Sequence, residues 1–217
     1  MSMLASEYMR LGVYRNKSVF IKMNLDTFLL NNGVNRVEGS ITVCKEQVAL
    51  LKELVSKPNI KSIFEIGFNA GHSSELFLET NKDCVVLAFD YGAHTTVTVG
   101  KRFIEEHYPR RHMLILGDST QTIPRYTGVE KYDVIFIDGG HSLEVATADL
   151  ANCRRFAHDD TIVIMDDTNY TEGWERVWTT GPTAAWKNGV RDGLITELAR
   201  AEFAPGHGMS WGKYVLN

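Results

Sequence analysis

The alternation of short apolar runs with helical stretches constrains this chain more than any other feature. Ser62–Ile66, Val85–Phe89, Met113–Leu116, Tyr132–Ile137 and Thr161–Met165 are each four to six residues long and mostly aliphatic or aromatic. That is the pattern of strands buried on both faces. Between them, Ser73–Glu79, Thr98–His107, Thr120–Ile123 and Leu143–Phe156 read as helices. An earlier helix is expected from Thr42, where Val48, Leu50, Leu51, Leu54 and Val55 form an apolar stripe that Pro58 ends. A βαβα order implies a mainly parallel, doubly wound sheet with right-handed crossovers. The end of the chain breaks this rhythm. Leu194–Phe203 and Ser210–Leu216 flank a turn-rich spacer over Ala204–Gly208, which predicts an antiparallel hairpin closing the sheet. A Trp-rich loop and short helix fill Asn169–Asn188. The expected architecture is therefore α/β: one domain over 1–217 with a seven-stranded, mostly parallel, Rossmann-like sheet. Residues 1–39 form a polar, partly helical lead-in, read as a substrate cap, and 40–217 form the core.

In open α/β sheets a ligand binds beyond the carboxyl ends of the strands, where strand order reverses. The residues just after each strand are then the candidates. After the first strand, Glu65 is an acceptor, and Gly67 and Gly71 allow a sharp turn and close backbone approach. Asn69 stands between them and is the side chain that best tolerates a left-handed backbone. After the second strand come Asp90, placed to accept a ribose, and Tyr91. After the third, Asp118 and Ser119 can meet an adenine amine and ring nitrogen, or can cap the next helix. Asp138 follows the fourth strand, and Asp166 and Asp167 follow the fifth. Three carboxylates at adjacent strand ends repel one another, and a hard divalent cation relieves that repulsion. The structural alternative for Asp166-Asp167 is a loop that caps the following turn.

The bulk properties narrow the partners. A net charge of −4 and a pI near 6.0 give no basic surface for nucleic acid and no polybasic patch for a membrane. No apolar run approaches the roughly 20 residues that cross a bilayer. The start, MSMLASEYMR, lacks a basic segment followed by an apolar block, so no secretory signal is expected. Cys44, Cys84 and Cys153 are odd in number and far apart, which argues against disulfides and a cysteine metal cluster. A cytoplasmic setting is the simplest expectation.

FEIGFNAGHSS, Asp90, GDS, YDVIFIDGGHS and TIVIMDDTN, in this order and spacing, resemble the class I S-adenosylmethionine-dependent methyltransferases. More narrowly, they are similar to the small cation-dependent O-methyltransferases of catechol and caffeoyl-CoA type and to the methyltransferase 24 group. ITVCKEQVALLKELV resembles the helix before the first strand in that family. The resemblance covers Ser40 to Thr168, and the final hairpin in pattern only. It implies S-adenosylmethionine and Mg²⁺ or another divalent cation as cofactors, a small-molecule acceptor and a possible homodimer. By position, Glu65, Gly67 and Ser73 match the contacts to the cofactor's methionine part, and Val43 matches a backbone contact. Asp90 matches the ribose acceptor, and Asp118 and Ser119 match the adenine contacts. Asp138, Asp166 and Asp167 match the metal ligands, with Asp167 standing where catechol-type enzymes usually have Asn. His141 stands where those enzymes place a lysine base, and the methyltransferase 24 group often has Asp-Gly-x-His there.

The expected reaction is in-line transfer of the sulfonium methyl to a substrate oxygen. Asp138 and His141 are its catalytic candidates, with His141 taking the hydroxyl proton. His141 can equally be a metal-site residue or a structural helix cap. Tyr170, Trp174, Trp178 and Trp186 are expected either to wall a planar acceptor or to pack the loop on the sheet. Two other enzyme readings compete with this one. A metal-independent methyltransferase would leave the acidic cluster structural. A nicotinamide dehydrogenase would need G-x-G-x-x-G, whereas the turn has Gly67-x-x-x-Gly71. The last alternative is a protein that binds the cofactor without catalysis.

Overall fold

The computed structural model describes residues 23–216. The part of the lead-in over 1–22 lies outside them. Its remainder holds helix α1 (Leu25–Asn31), capped by the Asn24 side chain on the Thr27 amide. A 3₁₀ turn over Ile41–Val43 leads into α2 (Lys45–Val55), so the helix expected from Thr42 begins at Lys45.

The alternation then follows the apolar pattern. The elements are β1 (Ser62–Ile66), α3 (His72–Thr80), β2 (Val85–Asp90), α4 (Thr95–His107), β3 (His112–Leu116), α5 (Ser119–Arg125), β4 (Tyr132–Ile137) and α6 (Leu143–Cys153). A 3₁₀ turn over Arg154–Phe156 takes what the pattern read as the last turn of α6. Next come β5 (Ala157–Asp166), α7 (Thr180–Arg191), β6 (Ile195–Ala204) and β7 (His207–Tyr214). The seven strands form one sheet in the order β3-β2-β1-β4-β5-β7-β6. The first five strands are parallel neighbours, and β7 runs antiparallel to both β5 and β6. The hairpin is tighter than the sequence suggests. Ala204 pairs with His207, leaving Pro205 and Gly206 as the turn. Proline and a glycine at φ 80° suit the two central positions of a type II turn.

Two apolar layers sandwich the sheet. One includes Phe77, Phe103, Ile104 and Phe136, and the other Phe64, Phe89, Phe156 and Trp186. Trp186 is fully buried and its indole donates to Glu197 Oε2 at 2.7 Å. That residue therefore packs the sheet and does not wall an acceptor. Among the described residues no helix is long and apolar enough to cross a membrane.

Strand order reverses between β1 and β4, which places their carboxyl ends side by side. Helix α4 also presses on the loop after β1. A Cβ built on Gly100, within α4, would stand 2.0 Å from the Ala70 carbonyl oxygen. Alanine is favoured over glycine in a helix interior by about 1 kcal/mol. Overpacking against a fixed backbone costs about 1–3 kcal/mol or more, so the clash wins. Gly100→Ala is expected to lower the urea midpoint of unfolding. A raised midpoint would show that α4 and the loop separate freely.

Candidate active site

The loop after β1 is built around Asp90. Its Oδ2 accepts from the Phe68 and Asn69 amides at 2.9 and 2.8 Å, and its Oδ1 from the Gly92 amide at 2.7 Å. The β2-end carboxylate thus organises the turn through three backbone donors. Gly67, Asn69 and Gly71 all have positive φ, at 94°, 47° and 91°. Asn69 adopts the left-handed backbone expected of it and also acts as a clasp. Its Nδ2 donates to the Glu38 carbonyl at 2.6 Å, and its Oδ1 accepts from Thr96 at 2.8 Å. Gly67 has a second constraint, since a Cβ there would lie 1.8 Å from the Asp138 carbonyl oxygen. The glycine is needed for the meeting of two strands.

Glu65 points into the protein and is fully buried. The Ser73 and Ser74 hydroxyls donate to its two oxygens. Burial pushes its carboxyl up to about 7 against those two hydrogen bonds. Glu65 and Ser73 therefore pair with each other at the base of α3. Val43 and Tyr91 are exposed, at 69% and 72%. Asp118 caps α5, its Oδ1 accepting from the Thr120 amide and hydroxyl at 2.9 and 2.7 Å. Ser119 beside it is half-buried.

The acidic cluster forms at the ends of β4 and β5. Ligand atoms of Asp138, His141 and Asp167 all lie within 4.8 Å of one another. His141 Nε2 is 2.9 Å from Asp167 Oδ2, and this hydrogen bond raises the imidazole above its ordinary range. Burial, and then the charges of Asp166 and Asp167, push Asp138 well above the carboxylate range. Asp166 is also raised, by burial first and Asp167 next. Asp166 stands outside the grouping of ligand atoms. Its Oδ1 accepts from the buried Gln47 of α2 and from the Asp167 amide. The structure thus brings two of the three expected carboxylates together with His141. Gln47 escaped the sequence reading because its partner is 119 positions away and its helical spacing marks only a buried face. Two carboxylate oxygens and an imidazole nitrogen are a donor set that fits a divalent cation.

Of the expected aromatic wall, Trp174 is half-buried and Trp178 is 40% exposed. Tyr170 is flanked by Lys187 and Arg200, each a little over 4 Å from its ring centre.

Residues 64–168 match a family model described as a methyltransferase domain. That match spans just under half of the chain. Solved structures agree in fold. The O-methyltransferase from Bacillus cereus, in complex with S-adenosylhomocysteine, is 19% identical, with 91% of this chain and 94% of that one covered at a TM-score of 0.70. A cofactor-bound protein from MTB is 17% identical, with 92% and 94% covered at 0.70. TomG from Streptomyces achromogenes, an O-methyltransferase of tomaymycin synthesis bound to S-adenosylmethionine, is 14% identical, with 91% and 93% covered at 0.63. No curated protein matches the chain by sequence.

The buried carboxyls of the protein set a pH dependence. Glu65 keeps a proton in the folded state that the unfolded chain releases near its ordinary 4.5. Stability is therefore present at low pH and lost as pH rises from there through about 7. The loss from Glu65 is roughly 3 kcal/mol at most. Asp138 and Asp166 act with the same sign. Thermal unfolding without added metal should give a lower Tm at pH 8 than at pH 6. Glu65→Gln, a neutral isostere, should shrink that difference, and an equal difference in the variant would refute the assignment.

Proposed function

We propose that the protein transfers the methyl group of S-adenosylmethionine to a hydroxyl of a small molecule, assisted by a divalent cation. The observation that carries this reading is the convergence of Asp138, Asp167 and His141 at the reversal of strand order. Asp138 and Asp167 would hold the cation, His141 beside Asp167 would be left to act as the base, and Asp166 would support Asp167 through its hydrogen bond to that residue's amide. A cation there supplies the positive charge that lets a hydroxyl ionise near neutral pH.

The chain's own residues do the rest. The loop from Gly67 to Gly71, braced by Asp90, presents backbone to the cofactor on one side of the Gly67–Asp138 junction. The acidic cluster stands on the other side. Methyl transfer is an in-line displacement, and alignment alone is worth about 7–11 kcal/mol. His141 holds a proton at Nε2 against Asp167. With that carboxylate neutralised, the imidazole falls back toward its ordinary range and can take the hydroxyl proton.

One observation favours a metal-independent reading. His141 already offsets the charge of Asp167, and Gln47 already satisfies Asp166. A single experiment separates the two. Methylation of a panel of hydroxylated acceptors is followed with labelled cofactor, with Mg²⁺ and with EDTA. The cation reading expects activity to vanish in EDTA and return with Mg²⁺, and Asp138→Ala and Asp167→Ala to lower it by about 100-fold or more. Full activity in EDTA would sink it in favour of the metal-independent reaction.

A further inference from the structure

Between α1 and α2, residues 33–40 form a strap that meets the loop after β1. Both ends of the strap are fixed. Leu25 and Leu29 bury α1 in the core, and Asp26 meets His72 of α3 at 2.8 Å. Ile41 and the α2 residues Leu51, Leu54 and Val55 bury the other end. The middle is held lightly. Val34 and Val37 are half-buried against the core, while Asn35, Arg36, Glu38 and Gly39 are exposed. Gly33 and Gly39, near the two ends of the strap, have φ of 83° and 64°. A Cβ would meet nothing within 4 Å at Gly33, and only Asn69 Nδ2, at 3.9 Å, at Gly39. Backbone conformation, not space, calls for glycine at both. A stretch with few buried contacts between two such points belongs to the least stable part of a fold.

Among the described residues, one hydrogen bond joins the strap to the loop after β1. Asn69 Nδ2 donates to the Glu38 carbonyl at 2.6 Å. A carbonyl only accepts, so the amide nitrogen must face Glu38 and the amide oxygen must face away. Thr96 of α4, itself buried, holds that orientation by donating its hydroxyl to Asn69 Oδ1 at 2.8 Å. Asp90 holds the Asn69 backbone separately, through the main-chain amide. The φ of 47° at Asn69 is one that glycine adopts with less strain. The loop's backbone therefore does not need this side chain, and the strap does.

We infer that Asn69 is the latch of a strap that gates exchange of the cofactor, with Thr96 as the residue that aims it. This rests on the methyltransferase reading, in which the cofactor lies against the backbone of the loop from Gly67 to Gly71. The strap is seated on that same loop. Opening breaks the bond from Asn69 to Glu38 and swings the exposed middle about Gly33 and Gly39. Closing restores the bond. Its two partners belong to the protein alone, so the latch slows entry and exit by the same factor. Release of S-adenosylhomocysteine is the step it controls, and release of product behind a closing segment limits turnover in many enzymes.

Surface plasmon resonance with the full chain immobilised gives the association and dissociation rates of S-adenosylhomocysteine. Asn69→Gly keeps the left-handed backbone and removes the latch. Thr96→Val keeps the shape of the α4 side chain and removes the group that aims it. Loss of one uncharged hydrogen bond should raise both rates by about fivefold and leave Kd within about twofold in each variant. A side chain that only touches the ligand or shapes the loop would speed dissociation alone and weaken Kd. An unchanged association rate in Thr96→Val overturns the latch, and if that variant fails to fold, the same result in Asn69→Gly does so. Failure of the wild type to bind S-adenosylhomocysteine at all would overturn the methyltransferase reading, and the latch with it.

Discussion

The backbone contact between Gly67 and Asp138 is the constraint on which the site depends. The Gly67 amide donates to Phe89 across one seam, and the Asp138 amide donates to Ile66 across the other. The sheet thus stays closed one residue past its formal strand ends. The Asp138 carbonyl then occupies the space where any side chain at Gly67 would begin. The loop after β1 and an acidic cluster are joined at that point with no intervening side chain. Alignment of a donor on one side with an acceptor on the other is a matter of ångströms, and a rigid backbone junction is the surest way to hold it.

Negative charge is the second organising force. Glu65, Asp138, Asp149 and Asp166 all have carboxyls raised by burial. Each is managed differently. Two serines hold Glu65, and Gln47 with a backbone amide holds Asp166. Asp167, beside them, is paired with His141. Burial and the like charges of Asp166, Asp167 and Glu65 all push Asp138 up, and Asp149 has two unpartnered oxygens. Asp138 follows β4 directly, and Asp149 of α6 packs against Gly139, the next residue after it. Buried polar groups in folded proteins are nearly all satisfied, and the two Asp149 oxygens are exceptions here together with the Asn169 side chain.

Much of this was legible in the sequence, for a physical reason. A strand buried on both faces must be a short apolar run, and β1 and β4 begin and end where their runs do. The strand-end acids were legible because the fold class fixes where chemistry sits. Side-chain direction was not. Glu65 and Asp90 are both strand-end acceptors in sequence, yet Glu65 turns into the core and Asp90 grips the loop. Trp186 falls in a span that reads as loop and short helix, where walling an acceptor and packing on the sheet look alike, and it occupies the inner face of the 12-residue α7. Gly100 and Asp149 look like ordinary helical positions, because what they meet comes from another segment of chain. The hairpin began early because Pro205-Gly206 suffices for a turn where the composition suggested a spacer.

The lead-in is where local pattern says least and the structure connects most. Asp26 of α1 meets His72 at the start of α3 at 2.8 Å. The Glu38 carbonyl receives the Asn69 side chain, and Gln47 of α2 reaches Asp166. Three successive points of the lead-in and its helix thus touch the loop after β1, the helix that follows it and the acidic cluster. None of these bonds is local, so no window of sequence contains both partners. Their combined effect is to tie both sides of the Gly67–Asp138 junction to one stretch of chain. A displacement of α2 would therefore change the setting of Asp166, and through its bond to the Asp167 amide, that of the carboxylate that holds His141. The segment least predictable from its own residues is the one through which the two halves of the site are mechanically linked.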